Sequence, residues 1–453
     1  MTYRIGSAQG FYGDDVTKAL PMITGGHVDV VCFEALSELT LAILQKDRLA
    51  NPARGYTFDL SIIARQILPE SFKRKIPLIT NGGGLNPVAA AEMVRETAAK
   101  LGLSGVKIAA ITGDDLLARL PELQAAGEAL SNMDTGERLA NASNQQFVTA
   151  NVYLGAAPIA EALQAGADMI ITGRVADPCL YLAPLIAHYG WSWEDWDKLA
   201  SGIVAGHLLE CTGQVVGGNS LAALHALAPT DLPYLAYPIA EVEASGTFVI
   251  TKTPNTPGLV SLETVKEQLL YEVHDPANYL TPDVTANFTT LHLEAAGENR
   301  VRVSGVTGKL RPEKLKVNIA RMEGYMRELI FAVGYPEAWL KVEWLKAMIA
   351  ESWRDLPIQR LSYSYLGMNS LFGSLSELPA DPLEVVVRVM FTASDQDTLK
   401  TATRRVMSNG LSCPPGMSVS GSTIGSDPRA IVGLWPALVG RDKITPEISY
   451  LTI

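Results

Sequence analysis

Five short apolar runs recur through the first part of this chain, and the stretches between them carry helical periodicity. The runs are Tyr3–Ile5, Val28–Phe33, Ile76–Thr80, Val106–Thr112 and Met169–Thr172, and the helical patterns include Ala35–Lys46, Val88–Leu101 and Pro158–Ala165. Strand–helix alternation predicts a parallel sheet, because parallel neighbours need a crossover long enough to hold a helix. The runs are apolar almost throughout rather than at every second position, as expected when both faces of a strand are covered. The fold class that follows is α/β, with a parallel sheet flanked by helices in the N-terminal half.

Near residue 245 the rhythm changes. Thr247–Thr251, Thr289–Leu293, Val301–Val306 and Glu384–Phe391 have strand character at irregular spacing, and Lys314–Val333 and Leu399–Ser408 have helical character. This predicts a second, α+β domain: residues 1–245 form the α/β domain with the site loops, and residues 246–453 complete the cleft.

Composition narrows the function. A net charge of −11 with no basic stripe argues against nucleic acid, whose phosphates are met by clustered Lys and Arg. No secretory signal opens the chain, and no apolar run reaches membrane-spanning length, so a soluble cytoplasmic protein with no membrane contact is expected. The four cysteines, Cys32, Cys179, Cys211 and Cys413, are scattered with no C-x-x-C pair, which suits reduced thiols.

In open α/β sheets ligands bind at the carboxyl ends of the strands. Here each of the five runs leads into glycines or acids: Gly6 to Asp15, Glu34 with Glu38 one turn on, Asn81-Gly82-Gly83-Gly84, Gly113-Asp114-Asp115, and Gly173-Arg174-Val175-Ala176-Asp177. Taken singly, such a loop reads as a chain turn or a helix cap; five on one edge point to a site. The triple glycine would let a ligand approach the backbone and meet its amides, yet it matches neither G-x-G-x-x-G nor the phosphate-loop pattern, so tight ATP or NAD binding is not expected. Arg174 is the better anion receptor, with a salt bridge to Asp177 as the plainer alternative.

His207 and Glu210 lie three apart in a helical pattern and share a face. They could form an acid/base pair or half of a metal site; a structural pair is the alternative. Gly217-Gly218-Asn219 follows directly.

At these motifs the chain resembles the acyclic terpene utilisation AtuA family. The matching stretches include GSAQGFYGDD, LITNGGGLNP, ITGDDLL, the long block from VYLGAAPIAEAL through ITGRVADPCLYL to AGHLLECTGQVVGGN, and EQLLYEVHDPANYLTPDV. The family often has an Asp or Gly-Asp where this chain has Cys32-Phe33-Glu34, and commonly NAGG where it has NGGG. The resemblance implies carboxylate or acyl-CoA metabolism. Since many members carry a ferredoxin-like domain, fused or separate, it also implies a small ferredoxin-like partner subunit.

The leading expectation is a cofactor-independent lyase or hydratase, oligomeric, acting on a small polycarboxylate or acyl-CoA. His207 and Glu210 would transfer protons. Arg174 and the amides of Asn81, Gly82, Gly83 and Gly84 would bind the anionic substrate, and Asp115, Gly217, Gly218 and Asn219 would line the site. Asp114 and Asp177 would orient these groups or hold a divalent ion. The competing expectation is a non-catalytic binding or scaffold subunit of an acyl-CoA carboxylase-type assembly; a nucleotide-dependent ligase is disfavoured by the missing phosphate loop.

Overall fold

The five runs form a single parallel block. In the computed structural model, which describes residues 2–142, 146–421 and 425–453, β1 (Tyr3–Ser7), β2 (Val30–Phe33), β3 (Leu78–Thr80), β4 (Lys107–Thr112) and β6 (Met169–Thr172) lie in the order β1-β2-β3-β6-β4, each parallel to its neighbours. Their carboxyl ends therefore share one edge. The pleat sends alternate residues to opposite cores: Val30 and Cys32 pack on one face, Val31 and Phe33 on the other. Helices Glu38–Ala50, Pro87–Lys100, Cys179–Tyr189 and Trp196–Glu210 connect or follow these strands.

Antiparallel strands extend the block at both sides to make a ten-stranded sheet. β7 (Pro238–Val242) pairs with β1, β8 (Phe248–Lys252) with β7, and Val301–Ser304 then His292–Ala295 follow outward; Glu447–Thr452 closes the other side on β4. β5 (Phe147–Val152) stands off the sheet and places Tyr153 and Leu154 near the end of β6 through the bridge between Leu154 and Val175.

The chain divides later than its periodicity suggests. One compact unit holds residues 2–142, Phe147–Ala320 and Leu434–Ile453; the other holds Arg321–Gly433 with Gln146. The expected boundary near residue 245 falls instead inside the sheet, because β7 and β8 are the two arms of one hairpin that carries the sheet onward from β1.

A second correction concerns Lys314–Val333, which is a 21-residue strand, Lys314–Gly334, and not a helix. From Glu328 its residues alternate between buried and half-buried, and it pairs with Glu384–Ala393 from Tyr325 to Gly334. Its Met, Glu, Leu and Ala content favours a helix locally, but the register with a strongly β-forming partner overrides that preference. In the second unit this strand, Glu384–Ala393, Arg360–Leu366 and Met417–Val419 form an antiparallel sheet, with Ala338–Ser352 and Gln396–Met407 sharing its apolar core. The two units are thus α/β and α+β. Among the described residues no helix is long and apolar enough to cross a membrane.

Candidate functional site

Arg174 is where the strand ends meet. It follows β6, the central strand between β3 and β4, and its backbone N–H donates to Asp114 Oδ2 at 2.8 Å, tying the end of β4 to the end of β6. Asn151 Nδ2 also donates to Asp114 Oδ2, at 2.8 Å. Gly173 makes this possible, since a Cβ there would stand 2.3 Å from Asp114 Oδ1.

The guanidinium is buried and surrounded by carboxyl groups. Nη1 lies 2.8 Å from Asp177 Oδ1 and 3.9 Å from Glu34 Oε1, and it donates to the Leu36 carbonyl. Nε has no hydrogen-bond partner. One face of the guanidinium stacks on Tyr153, Cζ 4.3 Å from the ring centre, while Lys316 Nζ lies 4.9 Å from the same centre. The Tyr153 hydroxyl donates to Glu38. Glu34 Oε1 accepts from the Leu36 amide at 2.7 Å and from Asn81 Nδ2 at 2.9 Å. Asn81, Asp114, Arg174 and Asp177 thus come together, joined by Glu34, Glu38 and Tyr153. Arg174, Glu34 and Asp114 are buried; Glu38 and Asp177 are half-buried and open the cluster outward.

These surroundings drive the carboxyls apart in acidity. Burial, reinforced by the charges of Glu210 and Glu38, pushes Asp177 up to about 7 against the pull of Arg174. Burial and Asp177 hold Glu34 well above the ordinary carboxylate range, and burial lifts Asp114 to about 6 despite its hydrogen bonds. At Glu38 burial is outweighed by Arg174 and the Tyr153 hydroxyl, which hold the group down at about 2. One cation therefore serves a Glu38 held down, a Glu34 held up by burial and an Asp177 raised to about 7.

His207 takes a different place. Its Nδ1 lies 2.9 Å from Glu210 Oε1 and its Nε2 lies 2.9 Å from the Gln268 carbonyl oxygen, with Tyr279 and Phe288 against the ring. A carbonyl can only accept, so Nε2 carries hydrogen. Burial alone would lower the imidazole, but the Glu210 carboxylate overcomes it and holds the ring above its ordinary value. Both ring nitrogens are engaged, and His207 holds Glu210 in place. Glu210 Oε2 is buried without a partner.

Two amides of the triple glycine are taken up within its own loop. The Gly82 amide donates to Thr80 Oγ1 and the Gly84 amide to the Asn81 carbonyl, while the Gly82 carbonyl accepts from Thr57. A Cβ at Gly83 would lie 2.6 Å from the Thr172 carbonyl oxygen. Gly83 serves close packing of this loop on β6, and the Gly82 and Gly84 amides are not free to hold an anion. Asp115 pairs with Arg48 at 2.9 Å and caps the Leu117 amide, so its charge is spent structurally.

Gly218 and Asn219 line a depression of about 380 Å³ with Gly10, Lys18, Cys211, Thr212 and others; Gly217 lies beside them in the chain but not in the lining. A Cβ on Gly10 would be 2.9 Å from the Glu210 carbonyl oxygen, so the depression abuts the end of the Glu210 helix. Thr212 and Asn219 both hold positive φ, at 41° and 52°, an uncommon conformation for residues with a side chain and a costly one for a β-branched residue. Among the described residues no three His, Cys, Asp or Glu side chains are grouped to hold a metal ion. Sequence reading missed Tyr153, whose strand carries no clear alternation, and gave Glu38 no role; a Glu one turn beyond Glu34 was the available signal.

The model of the acyclic terpene utilisation family protein AtuA matches residues 3–450. No curated protein matches the chain. Among solved structures, an amidase of the hydantoinase/carbamoylase family from Burkholderia phymatum shows 14% identity over 30% of this chain, with a TM-score of 0.14. The chain covers 31% of that structure's length.

Proposed function

The chain belongs to the acyclic terpene utilisation AtuA family, and from that premise we propose that it is a carbon–oxygen lyase, hydrating or dehydrating a small carboxylate or an acyl-CoA without a cofactor. The carrying observation is the set of carboxyl groups of opposed acidity around Arg174. In the dehydration direction, Asp177 takes the proton alpha to the acyl carbonyl, and the electron pair moves onto the carbonyl oxygen as an enolate. Arg174 Nε, buried and unpartnered, donates to that oxygen. When the enolate collapses, the carbon–oxygen bond to the β-hydroxyl breaks, and the proton held by Glu34 leaves with the hydroxyl as water. Hydration reverses each step. Glu38 stays ionised and keeps Arg174 in place through Tyr153, while His207 holds Glu210, whose charge contributes to keeping Asp177 protonatable.

The test is conversion of enoyl and 3-hydroxyacyl thioesters and their free acids by the purified chain, followed by loss or gain of the conjugated double bond's absorbance. Turnover lost in Asp177→Asn supports the reading; no conversion of any member in either direction rejects it.

A second reading, a non-catalytic subunit of an acyl-CoA carboxylase-type assembly, draws on one observation in the second unit. Leu371, Phe372, Leu375 and Leu383 are 87%, 70%, 85% and 79% exposed. Apolar side chains this exposed within one stretch of chain suit a partner. Stable capture of carboxylase subunits by a chain with no turnover of its own would favour it.

A further inference from the structure

The charge arrangement around Arg174 says which part of a substrate can enter. Three carboxyl groups, Glu34, Glu38 and Asp177, gather about one guanidinium, the charge of Glu210 acts on Asp177, and the second cation, His207, is already paired with Glu210. The groups facing them from neighbouring elements are uncharged acids: Tyr153 after β5, Cys179 and Tyr181 on the helix after β6, and Tyr279, each raised further by burial. Asp114 adds another buried carboxyl behind Arg174. Lys316, exposed, lies against the same Tyr153 ring, and its charge already acts with that of Arg174 on Glu38. A free carboxylate brought here would meet an excess of like charge in a buried setting, where such repulsion is weakly screened.

We infer that the reacting end of the substrate enters uncharged, as an acyl thioester carbonyl and not as a free carboxylate, and that any anionic handle stays outside, in the depression beside Lys18. This rests on the lyase reading of the same site and decides between the two substrate classes it leaves open. A neutral carbonyl satisfies Arg174 Nε without adding charge. The depression supplies what a handle needs. Lys18 has no ion-pair partner among the described residues, and its ammonium sits over the Tyr237 ring, 4.6 Å from its centre. Phe11 and Tyr271, 60% and 40% exposed, also line the depression and offer apolar faces at its rim. Asp14, the acid within it, is occupied by the Gly10 amide and the Thr212 and Tyr237 hydroxyls.

Calorimetric titration of the full chain with three probes tests this: crotonic acid, its N-acetylcysteamine thioester and crotonyl-CoA. At pH 8 the neutral thioester should bind at least about tenfold more tightly than the acid. Binding of the acid should take up a proton, so that its observed enthalpy depends on the buffer's ionisation enthalpy and its affinity falls by up to about tenfold per pH unit above 7. Lys18→Ala should weaken crotonyl-CoA by about three- to tenfold and leave the N-acetylcysteamine thioester unchanged. Free crotonate binding as tightly as the thioester without proton uptake overturns the inference. So does the absence of thioester binding at millimolar concentration, or crotonyl-CoA affinity indifferent to Lys18. Tight thioester binding without conversion would remove the lyase reading and leave this one standing.

Discussion

Arg174 Nη1 lies 2.8 Å from Asp177 Oδ1, yet Asp177 is raised to about 7 rather than depressed. An exposed carboxyl at that distance from a guanidinium would stay ionised well below pH 4. Here the charge of Arg174 is divided among Asp177, Glu38 and Glu34, and burial with the neighbouring acids tips the balance toward the protonated form. A contact that looks like a salt bridge thus becomes a place where a proton can be held or released near neutral pH.

Removing the negative charge of Glu210 should make Asp177 more acidic. We expect Glu210→Gln to lower the Asp177 midpoint by roughly one unit, since Glu210 is among the groups that raise it. Carbon-13 NMR of labelled aspartate, titrated from pH 4 to 9 and assigned with Asp177→Asn, reads the shift. An unmoved midpoint would separate Glu210 from the cluster.

Stability should fall as pH rises from about 4 to 8. Asp177 and Asp114 are raised in the folded chain, to about 7 and about 6, so over that window the folded state binds more protons than the unfolded one and stability declines with pH. His207, also raised, adds a loss of the same sign as pH climbs through its folded value. Glu38 acts oppositely: its contribution is complete above its ordinary value and lost as pH falls toward about 2. Urea unfolding at pH 5 and 8 measures the slope. Asp177→Asn should flatten it and make the chain more stable than wild type at pH 8, as is common where a strained site residue is relieved.

Gly83→Ala should destabilise the chain by about 1–3 kcal/mol, because its Cβ would meet the Thr172 carbonyl oxygen at 2.6 Å and Pro87 Cα at 3.0 Å, both backbone atoms. The urea midpoint reports it. A variant of wild-type stability with weakened anion binding would restore the triple glycine to the ligand.

The parallel block was legible because its strands are short, buried on both faces and separated by helical stretches of crossover length. The Lys314–Gly334 strand was not, since Met322, Glu323, Met326, Glu328 and Leu329 are good helix formers and the alternation emerges only in its last third. The domain boundary was hidden for a related reason: nothing local shows that β7 hydrogen-bonds back to β1 and carries β8 with it. At the site, Asn81, Asp114, Arg174 and Asp177 could be found from their position after strands. Tyr153 could not, because its importance lies in a ring stacked on a guanidinium 21 residues away. The i, i+3 spacing of His207 and Glu210 correctly gave contact; that the ring's other nitrogen meets Gln268 depends on a helix more than fifty residues later.

His207→Ala should cost about 3–5 kcal/mol by leaving Glu210 buried with neither oxygen paired. Glu210→Gln, which can still accept from Nδ1, should cost less. Thermal and urea unfolding of the pair of variants decide it, and a freely tolerated His207→Ala would mean the ring fixes nothing.

The central claim is that Asp177 and Glu34 move protons beside Arg174. Its most direct measurement is kcat for Asp177→Asn against wild type on crotonyl-CoA hydration, with folding of both confirmed by unfolding midpoints. Turnover should fall by roughly 100- to 10,000-fold, the usual worth of a positioned acid or base, while the chain remains folded. A folded Asp177→Asn chain that turns over at the wild-type rate would contradict the account.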